Sequence, residues 1–174
     1  MLAFVDRLLT IFTELDARIS ALMSERAETG GPKIARAEVR ILGQMSLLAN
    51  ERVSGVVTLA ETGDLDAHLR TEYVVEKELK IILRKHGLVY DETSNEIWIP
   101  KGAKYEPLFD LKNVVVSHID AESALVSKAV KAPEKNRILI QDSLASAAFP
   151  DLADRIVREG GDLSYFLEDS ENSK

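Results

Sequence analysis

The sequence predicts an α/β (α+β) fold in which a mixed sheet is flanked by helices and the C-terminal third is helical. Apolar residues recur at helical spacing at the start, and short β-rich runs then alternate with helical patterns as far as residue 119. Only helical patterns follow. A chain of 174 residues suits one well-cored domain and is short for two. We therefore expect a single domain over 1–174, with an α/β core over 1–119, a helical part over 120–167 and a frayed tail over 168–174.

Helices are predicted wherever apolar side chains recur every three or four positions. This spacing predicts a first helix over 2–26, which the Gly30-Gly31-Pro32 sequence ends. It also predicts a helix over 72–86, with Gly87 at its C-terminal cap. Further helices are predicted over 46–50, 121–131, 135–147, 152–158 and 163–167, with Asp120 as the N-cap of the helix over 121–131.

Strands are predicted from runs of β-branched and alternating apolar residues. They are expected over 37–42, 53–59, 64–69 and 114–119, with a hairpin between 88–90 and 96–99. Gly55 weakens the second of these strands, because glycine has no side chain to pack. The residues from 100 to 105 are predicted to form a loop.

The composition limits the classes of function. A formal net charge of −7 argues against non-specific nucleic-acid binding, which usually needs a basic protein. The chain has no cysteine, which excludes disulfides, a thiolate nucleophile and cysteine-ligated zinc. Neither a secretory signal nor an apolar run long enough to span a membrane is evident, so we expect a cytoplasmic protein with no membrane partner.

Two carboxylates one residue apart are the first candidate for chemistry. If Asp64 and Asp66 lie in a strand, both side chains point to the same face. Two negative charges held close together repel, and a divalent cation relieves the repulsion. Mg²⁺ commonly binds one or two carboxylates and completes its shell with phosphate oxygens and water. The alternative is a pair of acidic residues on the solvated face of an edge strand.

A glycine turn and a basic segment are the other candidates. Gly43 follows a predicted strand, where a glycine lets the backbone approach a phosphate closely, and Ser46 adds a hydroxyl group. Lys128 and Lys135 belong to a basic run in an otherwise acidic chain, which is typical of a phosphate clamp. The alternatives are an ordinary tight turn and a solvated helix end, where lysines are favourable.

The order of these parts resembles the nucleotidyltransferase superfamily of the DNA polymerase β type. More narrowly, it is similar to small nucleotidyltransferase-like proteins related to the abortive-infection AbiEii toxins. In that pattern a leading helix precedes a strand that ends in Gly-Gly or Gly-Ser, and a second strand carries Asp-x-Asp introduced by Thr or Ser. The matching residues here are Gly43, Thr62, Asp64 and Asp66. The family pattern also has a later helix with a Lys and then a Lys-Asp or Arg-Asp pair, and Lys128 and Lys135 stand in those places.

The resemblance implies a nucleotidyltransferase-like sheet and transfer of a nucleoside monophosphate from a nucleoside triphosphate to an acceptor. Asp64 and Asp66 would hold Mg²⁺, and a third carboxylate would assist as a catalytic group. We assign that third position to Glu96, with Asp110 and Asp120 as alternatives. The nucleotide would contact Gly43, Ser46, Thr62, Lys128 and Lys135.

The chain departs from the family pattern at two positions. Gln44 replaces the second small residue, and Asn136 stands where an acidic residue follows the lysine. These departures favour an alternative, a non-catalytic binding module that forms half of a toxin–antitoxin or phage-defence pair. A third hypothesis is a helical regulatory or assembly protein in which the Asp-x-Asp motif is incidental. The acceptor or partner, RNA or protein, is left open.

Overall fold

The computed structural model describes residues 2–167, apart from the side chains of Leu2 and Ser54. The predicted combination of a mixed sheet with helices is confirmed. The predicted frayed tail over 168–174 lies outside the described residues. Within the described part of the chain, no helix is long and apolar enough to cross a membrane.

The helices follow the sequence prediction closely. They are α1 (Leu2–Glu28), α2 (Gly43–Ala49), α3 (Glu51–Ser54), α4 (Tyr73–Lys85), α5 (Ala121–Lys131), α6 (Arg137–Ala145), α7 (Leu152–Arg158) and α8 (Ser164–Leu167). The predicted cap of α5 is confirmed, because the Asp120 carboxylate accepts a hydrogen bond from the Ser123 backbone N–H at 2.9 Å.

Strands form one four-stranded sheet and one small two-stranded sheet. They are β1 (Ala37–Ile41), β2 (Asp64–Leu65), β3 (Ala67–Arg70), β4 (Val89–Tyr90), β5 (Tyr105–Asp110) and β6 (Val114–Ile119). The main sheet has the order β3-β1-β6-β5, with β1 parallel to β6 and the outer pairs antiparallel. The small sheet pairs β2 with β4 in parallel.

Two hydrophobic cores hold these elements together. In the first, α1 and α4 pack on one face of the main sheet, where Val39 and Val116 are buried. The second core lies under the C-terminal helices and includes Leu42 and Ile119, which end or follow the central strands. The helical C-terminal part therefore packs at one end of the sheet, beside the turn that follows β1.

Three of the strand predictions are wrong. The residues from 53 to 59 form the end of α3 and an irregular segment, because Val53 and Val57 are buried four positions apart, at helical spacing. The hairpin is absent, since β4 pairs with β2 and the chain from Ser94 to Glu96 forms a short 3₁₀ helix. The predicted strand over 64–69 is divided at Asp66 into β2 and β3.

Strand β5 was not predicted. It contains Pro107, which lacks the N–H needed in the middle of a sheet. Because β5 is an edge strand with an irregularity between Pro107 and Phe109, the missing donor is tolerated there.

Candidate functional site

A close approach between Gly43 and Asp66 lies at the centre of the candidate site. Gly43 has a φ of 57°, in the left-handed region that favours glycine. A Cβ atom added to Gly43 would lie 2.0 Å from Oδ2 of Asp66. Antiparallel pairing of β1 with β3 places Ile41 opposite Ala67, and the Leu42 N–H donates a 2.8 Å hydrogen bond to the Asp66 carbonyl. The pairing therefore brings the glycine turn and the carboxylate together.

Asp64 and Asp66 project from the same side of the chain. The alternating residues Leu65 and Ala67 are fully buried, so the two carboxylates lie on the opposite side. Asp64 is exposed, whereas Asp66 is half-buried, and the Thr62 hydroxyl accepts a 3.2 Å hydrogen bond from the Asp64 N–H. The charge of Asp64 is one of the influences that raise the pKa of Asp66. The sequence-predicted pair is therefore held together in the structure.

A third carboxylate, Asp91, lies beside Asp66. Burial raises the pKa of Asp66 to about 6, and a hydrogen bond with the Asp91 carboxylate and its negative charge act in the same direction. The Asp91 carboxylate accepts hydrogen bonds from the hydroxyl and backbone N–H of Thr93, which lower its own pKa. Asp91 therefore remains ionised, and its negative charge beside Asp66 favours the protonated form of Asp66.

The segment after β4 is anchored so that Asp91 reaches this position. The Asp91 N–H donates to the Leu65 carbonyl at 3.0 Å, and the Tyr90 hydroxyl donates to the Ala67 carbonyl at 3.0 Å. The buried Ser94 hydroxyl accepts from the Ala67 N–H at 3.1 Å and donates to the Asp91 carbonyl at 2.6 Å. The sequence pattern does not single out Asp91, because the expected hairpin between 88–90 and 96–99 places it in the connecting turn. Its pairing with β2 is a long-range contact that no local pattern indicates.

The basic residues form the opposite side of the site. Lys128, on α5, is partly buried. This burial lowers the pKa of its amine, as does the charge of Lys135, whereas the charge of Asp66 raises it. The Lys128 amine lies 3.4 Å from Oδ1 of Asn136, whose own amide group donates to the Ala132 carbonyl at 2.8 Å. Asn136 therefore holds the amine of Lys128 at the junction of α5 and α6.

A cleft of about 350 Å³ lies between the start of α2 and the α5–α6 junction. The residues that line it are Gln44, Thr58, Leu59, Ala60, Glu61, Thr62, Lys128, Lys135, Asn136, Ile138 and Leu139. Three sequence-predicted nucleotide contacts, Thr62, Lys128 and Lys135, thus share one cleft, and Asp66 lies close enough to Lys128 to influence its pKa.

Two sequence-predicted residues are placed differently. Ser46 is 1% exposed, and its hydroxyl donates to the Gly43 carbonyl at 2.8 Å, so it satisfies the backbone of its own helix. Glu96 is exposed at the end of the 3₁₀ helix, and the strand that was expected to carry it is absent. Neither residue lines the cleft. Gly43, Asp64 and Asp66 are not part of its lining either, and they adjoin it in the chain next to Gln44 and Thr62.

The carboxylates fit a cation that is shared with a ligand better than a closed metal site. Within residues 2–167 there is no group of three or more His, Cys, Asp or Glu side chains arranged to hold a metal ion. Mg²⁺ nevertheless binds commonly through one or two carboxylates, with phosphate and water completing its shell. The pair of Asp64 and Asp66 suits that mode, because a cation would offset the negative charges of Asp91 and Asp64, which add to burial in raising the pKa of Asp66.

Comparisons of the chain with protein-family models, with curated proteins and with solved structures found no match.

Proposed function

We propose that the protein binds a nucleoside triphosphate with Mg²⁺ in this cleft and transfers its nucleoside monophosphate to an acceptor hydroxyl. One observation carries the proposal: Gly43 and Asp66 touch so closely that a Cβ atom at position 43 would lie 2.0 Å from Oδ2 of Asp66 and would force the carboxylate to move. This contact joins the turn after β1 to the paired carboxylates. The resemblance of Gly43, Thr62, Asp64 and Asp66 to the nucleotidyltransferase pattern points to the same chemistry.

The charges of the site suit a triphosphate. Lys128 and Lys135 would neutralise phosphate oxygens from one side, since ammonium groups form strong charge-assisted hydrogen bonds with phosphate. Asp64 and Asp66 would hold Mg²⁺ on the other side. When bound, Mg²⁺ would neutralise charge on the phosphates and on the two carboxylates.

The proposed reaction is an in-line displacement at the α-phosphorus. The acceptor oxygen forms a new bond to that phosphorus, and the bond to the bridging oxygen breaks, so that pyrophosphate leaves with the electron pair. The acceptor hydroxyl loses its proton to a carboxylate of the site or to water. Positioning and charge stabilisation supply most of the rate enhancement in reactions of this type. Lys128 and Lys135, which line the cleft, would provide both.

Label transfer from α-labelled triphosphates, with Mg²⁺ and total RNA or protein as acceptor, tests the proposal. We expect the wild-type chain to incorporate label and Asp64→Asn to lose incorporation, because the variant removes an exposed charge and no buried contact. The matched control is Asp142→Asn, which changes an exposed carboxylate of α6 outside the cleft. Full activity in Asp64→Asn would overturn the mechanism.

The second candidate function is triphosphate binding without transfer. Two observations favour it: the Ser46 hydroxyl is turned toward its own helix, and Glu96 lies outside the cleft. A binding module of this kind would suit one half of a toxin–antitoxin or defence pair. A rise in melting temperature with Mg²⁺ and a triphosphate, without label transfer to any acceptor, would favour the module. The absence of both binding and transfer would overturn both functions.

A further inference from the structure

One wall of the cleft is an irregular segment with little secondary structure to hold it. Residues 58–62 connect α3 to β2 and belong to neither a helix nor a strand. All five residues line the cleft. Because these residues lack regular backbone pairing, the position of this wall depends on individual side-chain contacts.

Gln44 supplies such a contact at the middle of the segment. Its side-chain amide donates a hydrogen bond of 3.1 Å to the Ala60 carbonyl. Gln44 directly follows Gly43, whose position against Asp66 fixes the start of α2. The bond therefore ties the irregular wall to the residue that follows the contact between Gly43 and Asp66.

The far end of the segment is anchored independently. The Gly63 carbonyl accepts a 2.8 Å hydrogen bond from the Val89 N–H, and the Thr62 hydroxyl accepts from the Asp64 N–H. At its near end, Val57 is buried in the second core. Loss of the Gln44 contact would therefore release the centre of the segment while both ends stay in place.

We infer that Gln44 is a positioning residue that tethers residues 58–62 and sets the width of the cleft opposite Lys128, Lys135 and Ile138. The inference rests on the proposed function, because the width of the cleft governs how long a phosphate-bearing ligand is retained. Gln44 itself need not touch the reacting atoms. The side-chain amide of Gln44 reaches the Ala60 carbonyl. A small residue at position 44 could not form this hydrogen bond, so residues 58–62 would lose the tether.

The width of the cleft is measurable with spin labels, because the chain has no native cysteine. Glu61→Cys and Ile138→Cys place labels on opposite walls at exposed positions, and Ile138 is 74% exposed. In this labelled background, Gln44→Met keeps the length of the side chain but removes the donor. We expect it to broaden the distance distribution toward larger separations.

Gln141→Met is the matched control. The Gln141 amide also donates to a backbone carbonyl, that of Phe166 at 3.0 Å, and Gln141 does not line the cleft. This variant is expected to leave the distance distribution unchanged. Unfolding in urea, followed for both variants, establishes that each remains folded under the conditions of the measurement.

Ligand retention provides the second readout, with unlabelled protein and Mg²⁺–ATP as the probe. We expect Gln44→Met to release ATP about tenfold faster than the wild type, since altered contacts act mainly on dissociation. An unchanged distance distribution in Gln44→Met would overturn the tether. A broadened distribution with unchanged release would overturn the link between width and retention. Failure of the wild type to bind any triphosphate would overturn the proposed function and the retention claim, while the distances would still decide the tether.

Discussion

Replacing Gly43 with alanine tests the contact on which the candidate site depends. A left-handed backbone costs a non-glycine residue about 1–2 kcal/mol. The added Cβ would also lie 2.0 Å from Oδ2 of Asp66, so the carboxylate has to move. Overpacking of this kind costs about 1–3 kcal/mol more. We therefore expect Gly43→Ala to lower the free energy of unfolding by about 2–5 kcal/mol.

Gly102 supplies a matched control for the backbone part of that loss. It has a φ of 75°, and an added Cβ would meet no atom within 4 Å. Gly102→Ala should therefore lose only about 1–2 kcal/mol. Urea denaturation of both variants at pH 7 measures the difference, which reports the steric contact with Asp66.

A double-mutant cycle separates the steric part further. In Asp66→Ala the carboxylate is absent, and the nearest remaining atom of residue 66 is Cβ, at 3.3 Å from the added methyl. We expect Gly43→Ala to lose about 1–3 kcal/mol less in that background than in the wild type. Equal losses in Gly43→Ala and Gly102→Ala, or no relief in the Asp66→Ala background, would refute the reasoning.

Three further predictions follow from the same contacts. The pKa of Asp66 is raised from its ordinary value of 3.8 to about 6 in the folded protein. The protonated carboxyl group therefore stabilises the fold fully below pH 3.8, and this stabilisation is lost as the pH rises through about 6. After an allowance for solvent screening, Asp66→Asn should remove about 1–2 kcal/mol of this pH dependence in metal-free urea titrations, whereas Asp142→Asn should keep the wild-type dependence. Lys128→Met should weaken triphosphate binding about tenfold or more, measured by calorimetry, because it removes a positive charge from the cleft. Lys112→Met, at an exposed position outside the cleft, should leave the affinity unchanged. Equal affinities of the two variants for the triphosphate would contradict the assignment of Lys128 to the binding site. Ser94→Ala should lower the free energy of unfolding by about 1–3 kcal/mol, because it leaves the Ala67 N–H without its hydrogen-bond acceptor. Ser24→Ala, at an exposed position, should leave that free energy almost unchanged. Similar melting curves for the two variants would contradict this account.

The sequence predicted the elements whose signals are local. The apolar spacing of α1 and α4, the β-branched run of β6 and the Asp120 cap of α5 each depend on neighbours within a few residues. Local signals were insufficient for β5, because whether Pro107 is tolerated depends on the place of its strand at the sheet edge.

The candidate site was predicted in part for the same reason. Asp64, Asp66 and Gly43 could be selected from motifs, but their proximity depends on the antiparallel pairing of β1 with β3. Asp91 could not be selected, because it reaches Asp66 through pairing of two-residue strands that are separated by α4. The Gln44 contact with Ala60 likewise joins residues whose approach no periodic pattern indicates.

The central claim is that the glycine turn, the paired carboxylates and the lysines form one ligand site. Nuclear magnetic resonance of the ¹⁵N-labelled chain, titrated with ATP and Mg²⁺, tests that claim directly. We predict that the largest shifts occur at the backbone amides of Gly43, Asp66 and Lys128. Shifts confined to the separate cleft beside Lys101 and Arg158, or no shifts with any of the four common triphosphates, would contradict the claim.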